Sequence, residues 1–233
     1  MVLTVDSLNV SYGETPIIEG LSLHCEEDEI LAVLGRNGMG KTTLLRSIAG
    51  ALKPDSGSIV FDDEDVTDLP SHERARRGIT LIPQGREIFP DLTVGENLQM
   101  GTYAAGDRTT LDRDRVYEYF PILEERLEQK GGTLSGGQQQ MLAIARGLMT
   151  NPELILLDEP SEGIQPSIVE QIGEILPEIH RNEDVPVVIV EQNIELVFAV
   201  ADRGYVIENG NIVEEGDIAA LQDENLIKKH IGI

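Results

Sequence analysis

The chain has 233 residues, of which 42 are acidic and 18 are basic, and its formal net charge is −24. Because such a charge repels a phosphate backbone, we expect no nucleic-acid partner. No apolar run approaches the ~20 residues of a membrane-spanning helix, and residues 1–10 lack the charged start and apolar core of a signal peptide, so the sequence predicts a cytoplasmic protein.

The predicted elements alternate between strands and helices, which is typical of an α/β fold with a mostly parallel sheet. In the first part of the chain, strands are predicted at 3–10, 17–24, 29–34, 58–61 and 78–83, and a helix at 41–49. After residue 150, strands are predicted at 154–158 and 187–190, and a β-hairpin is predicted from 205–208 and 211–214 around Asn209 and Gly210.

Between Gln84 and Thr150 the strand signals disappear and helical signals replace them. Thr93 and Glu96 have the spacing of a capping box, which begins a helix with reciprocal hydrogen bonds between side chain and backbone. We expect a helical insert here that moves relative to the sheet, because the motifs described next bound both of its ends.

A glycine-rich segment, 35–43, follows the predicted strand 29–34 and begins the predicted helix. Its glycines allow backbone N–H groups to surround a phosphate, and the helix N-terminus adds partial positive charge. Lys41 is expected to reach the β- and γ-phosphates, and the Thr42 hydroxyl to ligate Mg²⁺. A chance glycine-rich turn is the alternative, but the strand, loop and helix context disfavours it. The predicted phosphate-binding residues are Gly35, Asn37, Gly38, Gly40, Lys41, Thr42 and Thr43.

Two carboxylates, Asp158 and Glu159, end the apolar strand predicted at 154–158. They should lie at the carboxyl edge of the sheet, beside the bound phosphates. We expect Asp158 to hold Mg²⁺ through water and Glu159 to polarise the attacking water. Taken alone, an Asp-Glu pair after an apolar run is usually a solvated loop, but the phosphate-binding loop favours the functional interpretation.

A second anion site is predicted where the segment 134–138 precedes a helix at 139–149. The hydroxyl of Ser135 and the glycine amides would form it. The residues expected at this site are Ser135, Gly136, Gly137 and Gln138.

The segment 134–138, Leu-Ser-Gly-Gly-Gln, together with the two motifs above, resembles the signature of the ATP-binding cassette (ABC) family. The resemblance implies a P-loop NTPase fold with a mostly parallel core sheet, an N-terminal antiparallel β part and a helical subdomain. It implies one ATPase domain over 1–233, with the core at 1–84 and 150–233 and the signature subdomain at 85–149. It also implies a head-to-tail dimer that encloses two ATP molecules with Mg²⁺, in which the signature of one protomer covers the γ-phosphate bound to the other.

Further site residues follow from the resemblance. Tyr12 is similar to the aromatic residue that stacks on adenine, although without the family it would be taken as an ordinary strand tyrosine. Gln84 resembles the glutamine that senses Mg²⁺ and the γ-phosphate while linking the core to the helical insert. Two positions depart from the common pattern: Gln165 stands where many members have aspartate, and Gln192 where most have a histidine.

We expect Gln192 to contact the γ-phosphate in place of that histidine and to act in catalysis with Glu159. The alternative is that Gln192 only caps a helix that begins near Asn193. None of the histidines at 24, 72, 180 and 230 lies at this position.

These departures resemble the second ATPase of branched-chain amino acid and urea importers, and the segments 83–90 and 162–167 favour the urea-type branch. The resemblance implies a homodimer, or a heterodimer with a paralogous ATPase, bound to permease subunits on the inner face of the cell membrane. An extracytoplasmic solute-binding protein would act through the permease. Segment 86–90 with Phe89 is expected in the groove for a permease helix. The alternatives are a cassette protein acting on ribosomes or DNA, which usually has two cassettes or a long coiled-coil insertion, and an exporter ATPase, which usually keeps the histidine.

The excess of carboxylates also predicts a salt-loving cytoplasm, because molar salt shortens the Debye length to about 3 Å and screens their repulsion. An acidic protein from an ordinary cytoplasm is the alternative. Cys25 is the only cysteine, so the chain has no intrachain disulfide, and we expect this residue in the core.

Overall fold

The secondary structure is arranged in two sheets in the computed structural model, which describes residues 1–106, 108 and 111–222. The strands are β1 (Leu3–Tyr12), β2 (Thr15–Cys25), β3 (Ile30–Leu34), β4 (Ser56–Phe61), β5 (Glu64–Asp65), β6 (Ile79–Ile82), β7 (Leu154–Asp158), β8 (Val187–Glu191), β9 (Arg203–Glu208) and β10 (Asn211–Asp217). The helices are α1 (Lys41–Ile48), α2 (Ser71–Arg76), α3 (Val94–Ala104), α4 (Arg113–Tyr119), α5 (Pro121–Glu124), α6 (Gly136–Leu148), α7 (Pro166–Glu183), α8 (Ile194–Val200) and α9 (Ile218–Leu221).

The larger sheet has six strands in the order β10-β9-β3-β8-β7-β6. All of its pairings are parallel except that of β10 with β9. Every residue of β3, β7 and β8 is buried, as expected for parallel strands that are covered on both faces. The predicted parallel sheet is therefore confirmed, and its carboxyl edge brings together the ends of β3, β7 and β8.

The smaller sheet is antiparallel, with the order β2-β1-β4-β5. It confirms the antiparallel part expected near the N-terminus. Cys25, at the end of β2, is buried, and burial raises the pKa of its thiol, as expected for a core residue. The loop and strand at 62–65 expose their four carboxylates to solvent.

Two hydrophobic clusters lie on opposite faces of the larger sheet, and β3 contributes to both by alternation. Ile30, Ala32 and Leu34 join the cluster formed with the helices at 94–148 and with α7 and α8. Leu31 and Val33 join the cluster formed with α1 and the antiparallel sheet. The helical insert thus buries its apolar face against the same cluster that covers one face of the sheet.

The helical insert is confirmed in its content: α3, α4, α5 and α6 occupy it, with a 3₁₀ turn at Gly131–Thr133 and an isolated bridge from Thr93 to Lys130. The capping box of Thr93 and Glu96 begins α3 as predicted. Helix α6 begins at Gly136, three residues before the predicted start of that helix.

The C-terminal end of α6 lies tightly against β6. A Cβ atom on Gly147 would lie 3.0 Å from both Cγ1 and Cδ1 of Ile82, and the hydroxyls of Thr80 and Thr150 are 2.7 Å apart. Glycine at 147 therefore permits a closer approach of α6 to the sheet than any larger residue would.

Within the described residues, no helix combines the length and apolar character needed to cross a bilayer. His24, His72 and His180 belong to β2, α2 and α7 and not to the loop after β8. His230 lies outside the described part of the chain, as does the end of the expected core segment 150–233.

Candidate nucleotide-binding site

The phosphate-binding loop connects β3 to α1, as the sequence predicts. Gly38 and Gly40 have φ angles of 83° and 105°, in the left-handed region that favours glycine. A Cβ atom on Gly35 would lie 2.6 Å from the carbonyl oxygen of Ile207, so this position also requires glycine. The loop and the start of α1 line a cavity of about 200 Å³ whose residues are Ile17, Gly38, Gly40, Lys41, Thr42, Thr43 and Glu159.

Lys41 is buried, and its ammonium group has three oxygen partners. Nζ lies 2.7 Å from the carbonyl oxygen of Gly35, 3.1 Å from that of Arg36 and 2.9 Å from Oε1 of Glu159. The two carbonyls fix the cation at the mouth of the loop. A phosphate oxygen that binds Lys41 would have to compete with the carboxylate of Glu159.

Thr42 and Asp158 meet where α1 begins and β7 ends. The Thr42 hydroxyl donates to Oδ1 of Asp158 at 3.0 Å. Burial raises the pKa of Asp158, and the nearby charge of Glu159 adds to this effect, whereas the hydrogen bond from Thr42 opposes it. A buried carboxylate of this kind is stabilised by a cation, so the pair fits Mg²⁺.

The donor set supports that fit, because Thr42 and Asp158 offer oxygen ligands only. Magnesium ions are usually held by one or two protein oxygens together with phosphate oxygens and water. Among the described residues, no group of three or more His, Cys, Asp or Glu side chains is arranged to hold a metal ion by itself.

Glu159 is buried and has a φ angle of 46°, which is uncommon for a residue with a side chain. Its N–H donates to the carbonyl oxygen of Val190 at 2.9 Å, so the neighbouring strand holds this backbone conformation. The conformation directs the carboxylate between Lys41 and Gln84. Backbone strain of this kind is found preferentially at functional sites.

Gln84 follows β6 and lies against carboxylates rather than against Thr42. Its side-chain Nε2 donates to Glu162 at 2.7 Å and to Glu159 at 3.3 Å. The backbone N–H of Gln84 also acts to lower the pKa of Asp158, so it lies close to that carboxylate. Gln84 is therefore adjacent to the expected metal site, but in this structure its side-chain amide contacts the expected catalytic carboxylate.

Gln192 is exposed and lines a second cavity of about 320 Å³, whose other residues are Asn37, Glu159, Ser161, Glu162, Glu191 and Asn193. The alternative role as a helix cap is wrong, because the N-cap of α8 is Asn193, whose Oδ1 accepts from the N–H of Leu196 at 3.1 Å. Gln192 thus stands free of the helix and faces the same cavity as Glu159.

Ser135 begins α6 with a second capping box. Its hydroxyl accepts from the N–H of Gln138 at 3.3 Å, and the Gln138 side chain accepts from the N–H of Ser135 at 3.1 Å. Gly137 lies against Ile168, where a Cβ atom would be 2.7 Å from Cγ1. Neither Ser135 nor Gly136 lines the two cavities around Glu159, so the fold does not bring the two expected anion sites of one chain together.

Tyr12 ends β1 and is 48% exposed. It lines neither of the two cavities. Its ring is therefore accessible to a ligand that extends beyond them.

Arg86 makes contacts that the sequence did not predict. Its Nη2 donates to the carbonyl oxygens of Glu162 and Gly163, both at 3.3 Å, and its Nη1 lies 3.4 Å from Oε1 of Gln139. The loop after β7 is thereby linked to α6. Gly85, Arg86 and Glu87 all have positive φ angles, and a single arginine in a loop gives no sequence signal of this geometry.

A phosphate-binding loop, a buried lysine and a carboxylate pair at the carboxyl edge of a parallel sheet define the class of P-loop nucleotide-binding proteins. The family model for the ABC transporter matches residues 18–162. The chain belongs to the ABC transporter family as an ATP-hydrolysing cassette that binds ATP.

Relatives in two transport systems are similar over nearly their whole length. The high-affinity branched-chain amino acid transport ATP-binding protein BraG from Pseudomonas aeruginosa is 45% identical over 221 residues, 94% of each chain. The lipopolysaccharide export system ATP-binding protein LptB from Haemophilus influenzae is 37% identical over 232 residues, 98% of this chain and 95% of LptB.

Solved cassettes share the fold. The ADP conformation of an ATP-binding cassette of an ABC transporter superposes with a TM-score of 0.84 at 29% identity, covering 100% of this chain and 99% of that one. A dimeric cassette in a post-hydrolysis state bound to ADP and Pi superposes with a TM-score of 0.82 at 25% identity, covering 93% of this chain and 98% of that one.

Proposed function

We propose that this ATPase energises a membrane importer for branched-chain amino acids or for urea and related short amides. The observation that carries the proposed site is the convergence of Lys41, Thr42 and Glu159 at one cavity, with Asp158 accepting from the Thr42 hydroxyl beside it. The loop glycines and Lys41 would bind the phosphates, and exposed Tyr12 would stack on the adenine.

Glu159 is proposed to orient and polarise the water that attacks the γ-phosphate. It contacts Lys41 and Gln84, and displacement from Lys41 by a phosphate oxygen would free its carboxylate for water. Bound Mg²⁺, held by Thr42 and Asp158, would supply positive charge to the phosphate oxygens. Gln84 would report the presence of the γ-phosphate through its contacts with Glu159 and Glu162.

Gln192 would donate its side-chain amide to a γ-phosphate oxygen. Its position in the cavity shared with Glu159 and Asn37 supports this role. An amide does not titrate near neutral pH, whereas a histidine changes charge near its ordinary pKa of ~6.5. Catalysis in this chain would therefore lack the pH dependence that a histidine introduces.

The working form is proposed to be a dimer, with a second copy or with a paralogous ATPase. Ser135 is exposed at the N-terminus of α6 and lines neither cavity around Glu159, so it is free to cover a phosphate bound to another protomer. The dimeric state of the similar cassette bound to ADP and Pi supports this arrangement.

A groove of about 530 Å³ between β6, α3 and α6 is the proposed site for a permease helix. Phe89 and Tyr103 expose 41% and 68% of their surfaces there. The guanidinium of Arg146 lies 5.2 Å from the centre of the Phe89 ring and donates to the carbonyl oxygens of Arg86 and Glu87. The groove lies between β6 of the core 1–84 and 150–233 and helices α3 and α6 of the insert 85–149, so movement of the insert against the core would change the shape of the groove at the inner face of the membrane.

The cargo is proposed from similarity. BraG acts in amino acid transport and is more similar to this chain than LptB is, which favours import. The segments 83–90 and 162–167 keep urea as the second cargo, and an extracytoplasmic binding protein would select between them. The match to LptB makes lipopolysaccharide export the second candidate function.

Uptake measurements test this proposal. Cells with Glu159→Gln in this chain should lose uptake of labelled leucine or of labelled urea, and cells with the exposed-surface change Glu170→Gln should keep it. Retention of both uptakes together with a defective outer envelope would instead support the export function.

A further inference from the structure

Glu191 is a buried carboxylate that the proposed chemistry does not use. It is the last residue of β8 and is only 1% exposed. Its Oε1 accepts from the N–H of Ser161 at 2.8 Å, and its Oε2 accepts from the N–H groups of Gln192 and Asn193, each at 2.8 Å. One carboxylate thus binds three backbone donors.

The three donors belong to two different loops. Ser161 lies two residues after Glu159 in the loop that follows β7, whereas Gln192 and Asn193 form the loop that follows β8. Both loops line the cavity of about 320 Å³ that contains Glu159 and Gln192. Hydrogen bonds to an ionised acceptor are shorter and roughly twice as strong as neutral ones, so Glu191 holds the two loops at a fixed separation.

We propose that Glu191 is a positioning residue. By holding the two loops together, it would place the side chains of Glu159 and Gln192 at the γ-phosphate at the same time. The inference rests on the proposed roles of those two residues. Both oxygens of Glu191 accept from backbone N–H groups, so its effect would pass through the backbone of Ser161 and Gln192.

An isosteric substitution separates this role from packing. An ionised glutamate can accept with both oxygens, whereas a glutamine has one accepting oxygen and one donating NH₂ group. In Glu191→Gln, one rotamer would satisfy Ser161 and oppose the other two N–H groups, and the flipped rotamer would do the reverse. Every rotamer therefore releases one of the two loops while the side-chain volume stays the same.

The experiment compares kcat, the Kd for ATP and the melting temperature of the full chain with Glu191→Gln and with Glu195→Gln, an exposed carboxylate on α8. We expect Glu191→Gln to lower kcat about tenfold or more and to change the Kd for ATP less than twofold, because the phosphate-binding loop is untouched. The control should change neither. An unchanged kcat for Glu191→Gln would overturn the proposal, as would a kcat loss matched by an equal loss of ATP affinity.

A double-mutant cycle with Gln192→Ala distinguishes coupling from a general loosening. If Glu191 acts through Gln192, its substitution should lower kcat much less in the Gln192→Ala background than in the parent. Full additivity would overturn the coupling. If Gln192→Ala alone leaves kcat unchanged, the proposed role of Gln192 fails first; if it lowers kcat and Glu191→Gln does not, only the present inference fails.

Hydrogen exchange on the unsubstituted protein gives a second test that does not depend on a variant folding. The segments 159–163 and 190–194 should gain protection together when Mg-ATP is added. Protection of one segment without the other would overturn the proposal.

Discussion

Substitution of Glu159 by glutamine separates nucleotide binding from hydrolysis most directly. Glutamine has the same shape, so the N–H bond to Val190 and the left-handed backbone at this position should persist. The change removes the charge that pairs with Lys41 and the ability to accept a proton from water. General-base assistance contributes about 10²–10⁴-fold to a rate. We therefore expect kcat to fall by that factor, which corresponds to about 3–5 kcal/mol at ~1.36 kcal/mol for each factor of ten.

The affinity for ATP should not fall together with kcat. The carboxylate of Glu159 lies 2.9 Å from Lys41 Nζ and competes with a phosphate oxygen for it. Two unit charges ~4 Å apart interact by about 4 kcal/mol at an effective dielectric constant of 20, which sets the scale of the repulsion between this carboxylate and a phosphate. Its removal should leave the Kd for ATP unchanged or lower it, because Gly35 and Arg36 still fix the lysine.

Removing one partner of a buried ion pair costs about 3–5 kcal/mol when the other charge is left without a partner. Here the amide oxygen of glutamine can still accept from Lys41, so we expect a smaller loss of stability. Phosphate release at saturating Mg-ATP measures kcat, and calorimetric titration with ATP measures the Kd. Light scattering detects an ATP-dependent dimer. Glu170→Gln is the matched control. Hydrolysis at the parental rate, or a Kd that rises as much as kcat falls, would contradict the proposed role of Glu159.

Four further predictions address other parts of the site. Gln192→Ala should lower kcat about tenfold or more, because it removes a hydrogen bond worth about 1.5–3 kcal/mol. It should leave the melting temperature nearly unchanged, because the side chain is exposed. An unchanged kcat with a lower melting temperature would exclude a phosphate contact. Asp158→Asn removes a buried charge but keeps an oxygen for the Thr42 hydroxyl, so the melting temperature without Mg²⁺ should not fall. Turnover of Mg-ATP should be lost. A large fall in melting temperature would contradict the role of Asp158 in binding Mg²⁺. Phe89→Asp should abolish uptake in cells and leave the ATPase rate of the isolated chain within about twofold, and loss of ATP binding would show that Phe89 belongs to the core. The melting temperature should rise when the KCl concentration is raised from about 0.1 M to about 2 M, because the repulsion among carboxylates is screened. A melting temperature that does not change over this range would exclude the salt-loving interpretation.

The parts of the site that the sequence predicted are those fixed by local pattern. The apolar run 154–157 and the carboxylates of Asp158 and Glu159 after it define a buried strand and its end, and the structure has β7 end at Asp158. The start of α6 at Gly136 was missed by three residues, because two consecutive glycines have low helix propensity. The capping box of Ser135 and Gln138 outweighs that penalty.

The parts that escaped prediction depend on contacts between distant segments. Glu191 and Ser161 are 30 residues apart, and the charged end of a strand gives no sign that its carboxylate turns inward. The left-handed backbone at Arg86 is likewise visible only in three dimensions. Gln192 remained ambiguous in the sequence because Gln192 and Asn193 are both polar residues at the start of a helix, and only the hydrogen bond from Leu196 to Asn193 distinguishes them.

If the helical insert moves against the sheet as proposed, the close contact of Gly147 with Ile82 would be the pivot of α6. Ser135 lies 12 residues from Gly147 along the helix, which is about 18 Å at ~1.5 Å per residue. A tilt of about 10° around the pivot would move Ser135 by roughly 3 Å, the length of one hydrogen bond. Such a tilt would therefore change contacts at the far end of the helix, including the packing of Gly137 against Ile168, while the contact at Gly147 stayed in place.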